Sequence, residues 1–160
     1  MYGNSVNLRM MKVFFLLLFG IGQFVVMAQP KIIAHRGASG NYPENTMVAV
    51  DNALKIGVDL VEVDVHLSKD GQVVVIHDET LDRTSNAKGY VQDFTWEELK
   101  KLDVGSWKEE SFSDERIPLL EEVLIACKGK AKVLIEIKKG KNYYFGIEEK
   151  CWKIVQSLKA

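Results

Sequence analysis

The sequence has little of what would mark a specialised scaffold. Its 160 residues include only 2 cysteines, 3 prolines and 12 glycines, which excludes a disulfide-dense fold, a collagen-like repeat and a Pro/Gly-rich disordered chain. Neither sign of charge dominates, since 21 Lys and Arg stand against 22 Asp and Glu for a net charge of -1. No long-range field exists to collect nucleic acid or anionic lipid, so a phosphate polymer is not expected as a partner. Cys127 and Cys151 fall outside any CxxC spacing, which suggests neither zinc nor thioredoxin chemistry and leaves both as small buried hydrophobes. What remains is the composition of an ordinary globular domain, 47% hydrophobic and 27% charged.

The longest apolar run, Val13 to Met27, follows Arg9 and Lys12 and ends in Val26-Met27-Ala28. A basic start, a short apolar stretch and small residues at a cleavage point predict a signal peptide over residues 1–28 and a periplasmic or secreted product beginning near Gln29. The run is broken by Gly20, Gly22 and Gln23 and falls short of the roughly 20 residues that a membrane-spanning helix needs. No stable membrane span is therefore expected once the signal is removed.

Residues 29–160 read as alternating strands and helices. Lys31-Ile32-Ile33-Ala34 is a buried strand that stops at His35-Arg36-Gly37, and Asn45 can cap a helix carrying Met47, Val50, Ala53 and Leu54 before Gly57 closes it. From Val58 to Leu67, Glu62, Asp64 and His66 alternate with Val61, Val63, Val65 and Leu67. A strand there throws its polar side chains onto one face, and burying two carboxylates together requires a compensating cation. Asp70-Gly71 separates it from Val73 to Ile76 by too few residues for a crossover, so the two form a hairpin about Lys69 to Gln72. The hairpin returns His77 opposite Asp64. His66, nearer the turn, is expected on the substrate side or in solvent.

Residues 79–117 are rich in polar and turn residues and read as an insertion with one short helix, marked by the capping box Thr95-Trp96-Glu97-Glu98. Pro118 is placed as the first residue of a helix over Leu119 to Cys127, stopped by Gly129. A third main strand, Lys132 to Lys138, puts Glu136 and Lys138 on one face, and a last helix spans about Tyr143 to Leu158. The order is three βα units, with a hairpin and an insertion after the second strand.

In parallel α/β folds the active site lies at the C-terminal ends of the strands. That rule gathers His35 and Arg36 from the first strand, Glu62 and Asp64 from the second, Glu136 and Lys138 from the third, and His77 from the hairpin. Three carboxylates are hard oxygen donors, so Glu62, Asp64 and Glu136 are the expected metal ligands, for Ca²⁺ or Mg²⁺ rather than zinc. His35 and His77 are the expected catalytic acid and base, because imidazole exchanges a proton near neutral pH. Arg36 and Lys138 offer cationic donors to a substrate phosphate, although Glu136 and Lys138 could simply pair. Glu44 is expected to act from behind the contact layer, near a helix N-terminus. The set points to metal-assisted phosphoryl transfer.

His35-Arg36-Gly37, Pro43-Glu44-Asn45-Thr46, Glu62-Val63-Asp64, Lys69-Asp70-Gly71, His77-Asp78 and Glu136-Ile137-Lys138 together resemble the motifs of the glycerophosphodiester phosphodiesterases, in order and over about residues 32–140. The resemblance implies a TIM (β/α)₈ barrel and hydrolysis of glycerophosphodiesters to glycerol 3-phosphate and an alcohol. It also implies a substrate glycerol hydroxyl near the metal, attacking phosphorus to give a cyclic intermediate. A complete barrel needs eight strands in about 250 residues, so residues 29–160 are expected to spell only its N-terminal part. Two alternatives accompany this reading: a non-catalytic fragment acting as a binding or assembly module, and a phospholipase D-like lyase on lysophospholipids. Open barrel edges would also favour self-association.

Overall fold

The computed structural model describes residues 29–142 and 144–159, and its contacts divide the chain into residues 1–30 and 31–160. In the first unit only Gln29 and Pro30 are described, both exposed and outside regular structure. The signal expected over residues 1–28 therefore lies outside the described residues, as does Tyr143. Among the described residues, no helix is long and apolar enough to cross a membrane.

The second unit runs β1 (Ile33–Ala34), α1 (Met47–Ile56), β2 (Leu60–Leu67), β3 (Val73–Val75), α2 (Trp96–Leu99), α3 (Leu120–Cys127), β4 (Lys132–Ile137) and α4 (Ile147–Leu158). Strand β2 is the centre of the sheet. It pairs with β4 in parallel from Leu60 to Val65, which uses one of its edges almost completely. On the other edge β1 pairs in parallel at Leu60 and Val61, and β3 pairs antiparallel from Val65 to Leu67. The end of β1 and the end of β3 thus approach each other beside Glu62 and Asp64. That arrangement is the expected three-unit α/β order with its hairpin, and it forms part of a TIM barrel.

Valines 61, 63 and 65 point from β2 toward the helices and join Val50, Ala53, Leu120, Val123 and Leu124 in one core. The alternation of β2 leaves its other face to Glu62, Asp64 and His66, all buried. The insertion has a core of its own, in which Leu81, Val91, Leu99, Val104 and Ile117 pack against Val74 and Ile76 of the hairpin. Its polar surface hides that cluster from a reading of composition.

Three local expectations are corrected. Thr46, not Asn45, caps α1, its hydroxyl accepting from the Ala49 amide at 3.4 Å. Pro118 does not open α3: its carbonyl accepts the Val75 amide at 2.8 Å and Leu119 bridges Val74, so pairing with the free edge of β3 wins over an extra helical turn. Helix α4 begins at Ile147, because Gly146 before it sits at φ +79° and interrupts the helical backbone. Both cysteines are buried free thiols, and burial raises each to a pKa of about 11, which leaves them unreactive.

Two sheet edges are unpaired among the described residues, the outer sides of β1 and β4. Ile32, Ile33, Leu134 and Ile137 are exposed along them.

Candidate active site

Backbone geometry at the end of β1 brings the first residues into place. Gly37 takes φ +75° and packs so close to Ala49 that an added Cβ would lie 2.7 Å from its backbone, so the turn after His35-Arg36 is pinned against α1. Arg36 itself sits at φ +57°, a left-handed conformation that costs an ordinary residue roughly 1 kcal/mol. It is held by what it reaches. The Arg36 amide donates to Glu62 at 2.7 Å, Nη1 donates to Glu44 at 3.0 Å, and Nε lies 3.3 Å from Asp64.

Adjacent strands assemble the acidic group. Asp64 on β2 is directly opposite Glu136 on β4, with Glu62 two residues before it on the same face. Oxygen atoms of these three carboxylates all lie within 4.8 Å of one another. Glu62 is 5% exposed and Asp64 fully buried, whereas Glu136, on an edge strand, is 54% exposed at its side chain. Among the described residues, buried Glu62 Oε1 has no hydrogen-bond partner, and Asp64 Oδ1 has none beyond its ion pair with Lys138. Unsatisfied carboxylate oxygens grouped this closely fit a hard divalent cation. Burial, reinforced by the Asp64 charge, pushes the Glu62 carboxyl above its usual range, against the Arg36 amide bond that lowers it.

Lys138 is the internal counter-ion of this group. Its ammonium lies 2.9 Å from Asp64 Oδ1, an ion pair outside hydrogen-bond alignment, and also bonds Glu136. Burial alone would lower its pKa, but the attraction of Glu136 and Asp64 outweighs that and raises it. The simple pairing of Glu136 with Lys138 is therefore present, as one arm of a wider contact.

The two histidines differ in how they are held. His35 is largely exposed, with Nε2 3.9 Å from Glu62. His77 is partly buried, and its Nδ1 meets Asp78 Oδ1 at 2.6 Å. His66 is neither on the substrate side nor in solvent, as its place near the hairpin turn suggested. It is fully buried, with Nε2 3.1 Å from the His77 carbonyl and Nδ1 3.0 Å from the Tyr144 hydroxyl. A carbonyl only accepts, so Nε2 carries the proton and Tyr144 donates to Nδ1. Burial pushes the His66 pKa down and favours that neutral form.

Two other participants have no part in the site as read from the sequence, where Asn45 is a helix cap and Arg83 is not singled out. Asn45, at φ +57°, grips Asp64 twice: Nδ2 donates to Oδ2 at 2.8 Å, and Oδ1 accepts the Asp64 amide at 3.2 Å. Arg83, from the insertion, bonds both Asp78 and Glu44. Burial tends to raise the Glu44 carboxyl, but Arg83 and Arg36 outweigh it and hold Glu44 below the usual range. Asn45-Thr46 and Asp82-Arg83 resemble ordinary cap and turn sequences, so neither advertised these contacts. A larger apolar groove of about 410 Å³, lined by Leu124, Cys127, Val133, Ile135 and Val155 among others, contains none of these polar groups.

Fold and site together define a barrel-type α/β protein with an acidic cluster of the kind that could hold a cation, with His35 beside it, at the C-terminal strand ends. The chain belongs to the Glycerophosphoryl diester phosphodiesterase family, which it matches over residues 35–158. It is 53% identical over 126 residues to a glycerophosphodiester phosphodiesterase of Caldanaerobacter subterraneus, covering 78% of this chain and 52% of that relative. The crystal structure of a glycerophosphodiester phosphodiesterase from Agrobacterium tumefaciens superposes with a TM-score of 0.75 at 40% identity, covering 82% of this chain and 54% of that one. An Oleispira antarctica phosphodiesterase in complex with the product sn-glycerol-3-phosphate gives a TM-score of 0.71 at 39% identity, covering 81% and 52%. The chain spans about half the length of the curated relatives it matches.

Proposed function

We propose that this chain carries the acid–base and cation-binding machinery of a divalent-metal-dependent phosphodiesterase, which hydrolyses glycerophosphodiesters to glycerol 3-phosphate and an alcohol. The observation that carries the reading is the cluster of Glu62, Asp64 and Glu136, in which, among the described residues, buried Glu62 Oε1 has no hydrogen-bond partner and Asp64 Oδ1 has only the Lys138 ammonium at 2.9 Å. Glu62, Asp64 and Glu136 would hold Ca²⁺ or Mg²⁺, both of which prefer carboxylate oxygen. A cation there would neutralise phosphate charge and polarise the ester. The Oleispira relative, by its product complex, supports a glycerol phosphate in such a site.

His35 and His77 divide the proton work in this reading. One imidazole takes the proton of the attacking hydroxyl as its oxygen bonds phosphorus, and the other gives a proton to the departing alcohol as the old P–O bond breaks. When the attacker is the substrate glycerol hydroxyl, water then opens the cyclic phosphate with the two roles exchanged, giving glycerol 3-phosphate. Arg36 and Lys138 meet the phosphoryl oxygens. Lys138, now paired with Asp64 and Glu136, would be free for that role if a cation took its place beside them. Glu44 orients Arg36 through the bond at 3.0 Å.

Hydrolysis of glycerophosphocholine by the purified chain, with added Ca²⁺ or Mg²⁺ and again with chelator, tests the proposal. Turnover that chelator abolishes, and that His35→Ala and His77→Ala each lower at least ~100-fold, supports it. Metal binding without turnover would favour a binding or assembly module, and a cyclic phosphate formed from lysophospholipid would favour the lyase. We also propose export, supported by the run from Arg9 to Ala28; N-terminal sequencing should find a product starting near Gln29, and one starting at Met1 would contradict it. Self-association belongs to the same reading, because β1 and β4 have unpaired outer edges among the described residues and exposed Ile33 and Leu134. Light scattering across a dilution series should show a second copy bound; a monomer at every concentration would contradict it.

A further inference from the structure

The hydrogen bonds around His77 form a directed chain that the acid–base roles above do not use. Asp78 Oδ1 lies 2.6 Å from His77 Nδ1. The same carboxylate is gripped from the other side by Arg83, whose Nε donates to Oδ2 at 2.6 Å and whose Nη2 donates to Oδ1 at 3.1 Å. This is the two-pronged guanidinium–carboxylate geometry that fixes direction as well as distance. The far edge of the guanidinium is used as well, with Nη1 donating to Glu44 Oε2 at 3.0 Å and Nη2 to Glu44 Oε1 at 2.7 Å. Glu44 in turn accepts from Arg36. Arg83 spends four of its five N–H groups on two carboxylates, which leaves it poorly suited to bind a phosphate and well suited to hold Asp78 still.

An ionised carboxylate can only accept, so the proton of the short contact belongs to His77 Nδ1. A neutral imidazole protonated at Nδ1 has its lone pair on Nε2. We infer that Asp78 and Arg83 are positioning residues for the phosphodiesterase reading, holding His77 as the Nδ1–H tautomer so that Nε2 is the atom that exchanges a proton with substrate. The clamp reaches His77 from the insertion, the segment that brings Arg83 to the site. A merely structural ion pair would tie the insertion to the strand ends without fixing a tautomer, and the two roles differ in what the ring nitrogens show.

Nitrogen-15 spectra of the full chain, with long-range coupling to the ring protons, report the tautomer directly and need no turnover. Wild type at a pH where His77 is neutral should show a protonated, pyrrole-like Nδ1 and a bare, pyridine-like Nε2. In Asp78→Ala the acceptor is gone, and the Nε2–H form should become the majority. Arg83→Gln, at a partly exposed side chain, should give a mixed population, and Arg83→Lys should recover part of the wild-type signal; these two keep the test decisive if Asp78→Ala fails to fold. On glycerophosphocholine, kcat should fall at least ~10-fold in Arg83→Gln with KM little changed, as for loss of an oriented base. A wild-type His77 protonated at Nε2, or a tautomer unmoved in every variant, would overturn the inference. A fixed tautomer in a chain without turnover would support the clamp and sink the phosphodiesterase reading instead.

Discussion

Strands β2 and β4 carry the same message in sequence and sit in opposite circumstances. Strand β2 alternates valines with acids, Val-Glu-Val-Asp-Val, and β4 sets one acid in an aliphatic run, Val-Leu-Ile-Glu-Ile, yet each delivers carboxylate to one cluster. Yet β2 is buried almost throughout while β4 is largely open. Neighbours make the difference. Strand β2 has β1 and β3 on one side and β4 on the other, whereas among the described residues β4 has only β2. Periodicity therefore fixes which side chains share a face, and pairing on both edges fixes whether that face is dry.

The largest contrast should appear when each acid is truncated. Asp64→Ala strands Arg36, Lys138 and the Asn45 amide without their shared partner, a loss of about 3–5 kcal/mol by analogy with broken buried ion pairs. Glu136→Ala removes an exposed carboxylate whose partner Lys138 keeps Asp64, and should cost less than about 1 kcal/mol. Urea denaturation of the metal-free chain measures both. Equal losses would erase the distinction between the two strands.

A smaller effect belongs to the acid limb. The bond from Arg83, with help from His77, lowers the Asp78 carboxyl to about 2. Its folded value is depressed, so its stabilisation is present above the unfolded carboxyl value of roughly 4 and is lost as the pH falls toward about 2. The contribution is on the order of 1–2 kcal/mol, since the group is partly solvated. Asp78→Asn should flatten stability over that window, and an unchanged acid transition would contradict the clamp. Glu62 has the opposite sign. Its raised folded value favours the protonated form, so its contribution fades as pH rises through that value, and Glu62→Gln should leave the metal-free chain at least as stable near neutral pH while abolishing cation binding. Smallest of all, Leu134→Ser on the open β4 edge should shift stability by no more than about 0.5 kcal/mol and reduce association in light scattering.

What the sequence made legible follows from local rules. The alternation in β2, the single acid of β4 and the stop at His35-Arg36 were enough to gather the three acids with His35 beside Glu62, and the short link at Asp70-Gly71 to set β3 against β2. Contacts set by tertiary closure were not legible. His66 is bonded to Tyr144, 78 positions away, and no periodicity reports such a partner. Asn45 carries the residue type of a helix cap, but a left-handed backbone turns its amide onto Asp64 while Thr46 takes the cap. Arg83 lay in a stretch whose polar composition concealed both its small core and its place between Asp78 and Glu44.

Calorimetric titration of Ca²⁺ and of Mg²⁺ into the purified chain, repeated with Asp64→Asn and Glu136→Gln, tests most directly whether two strands so differently buried build one cation centre. A single site in wild type, lost or weakened at least ~10-fold in both variants, is the expected result. Wild-type affinity retained in Glu136→Gln would show that the exposed strand contributes nothing to the centre, and would contradict the account.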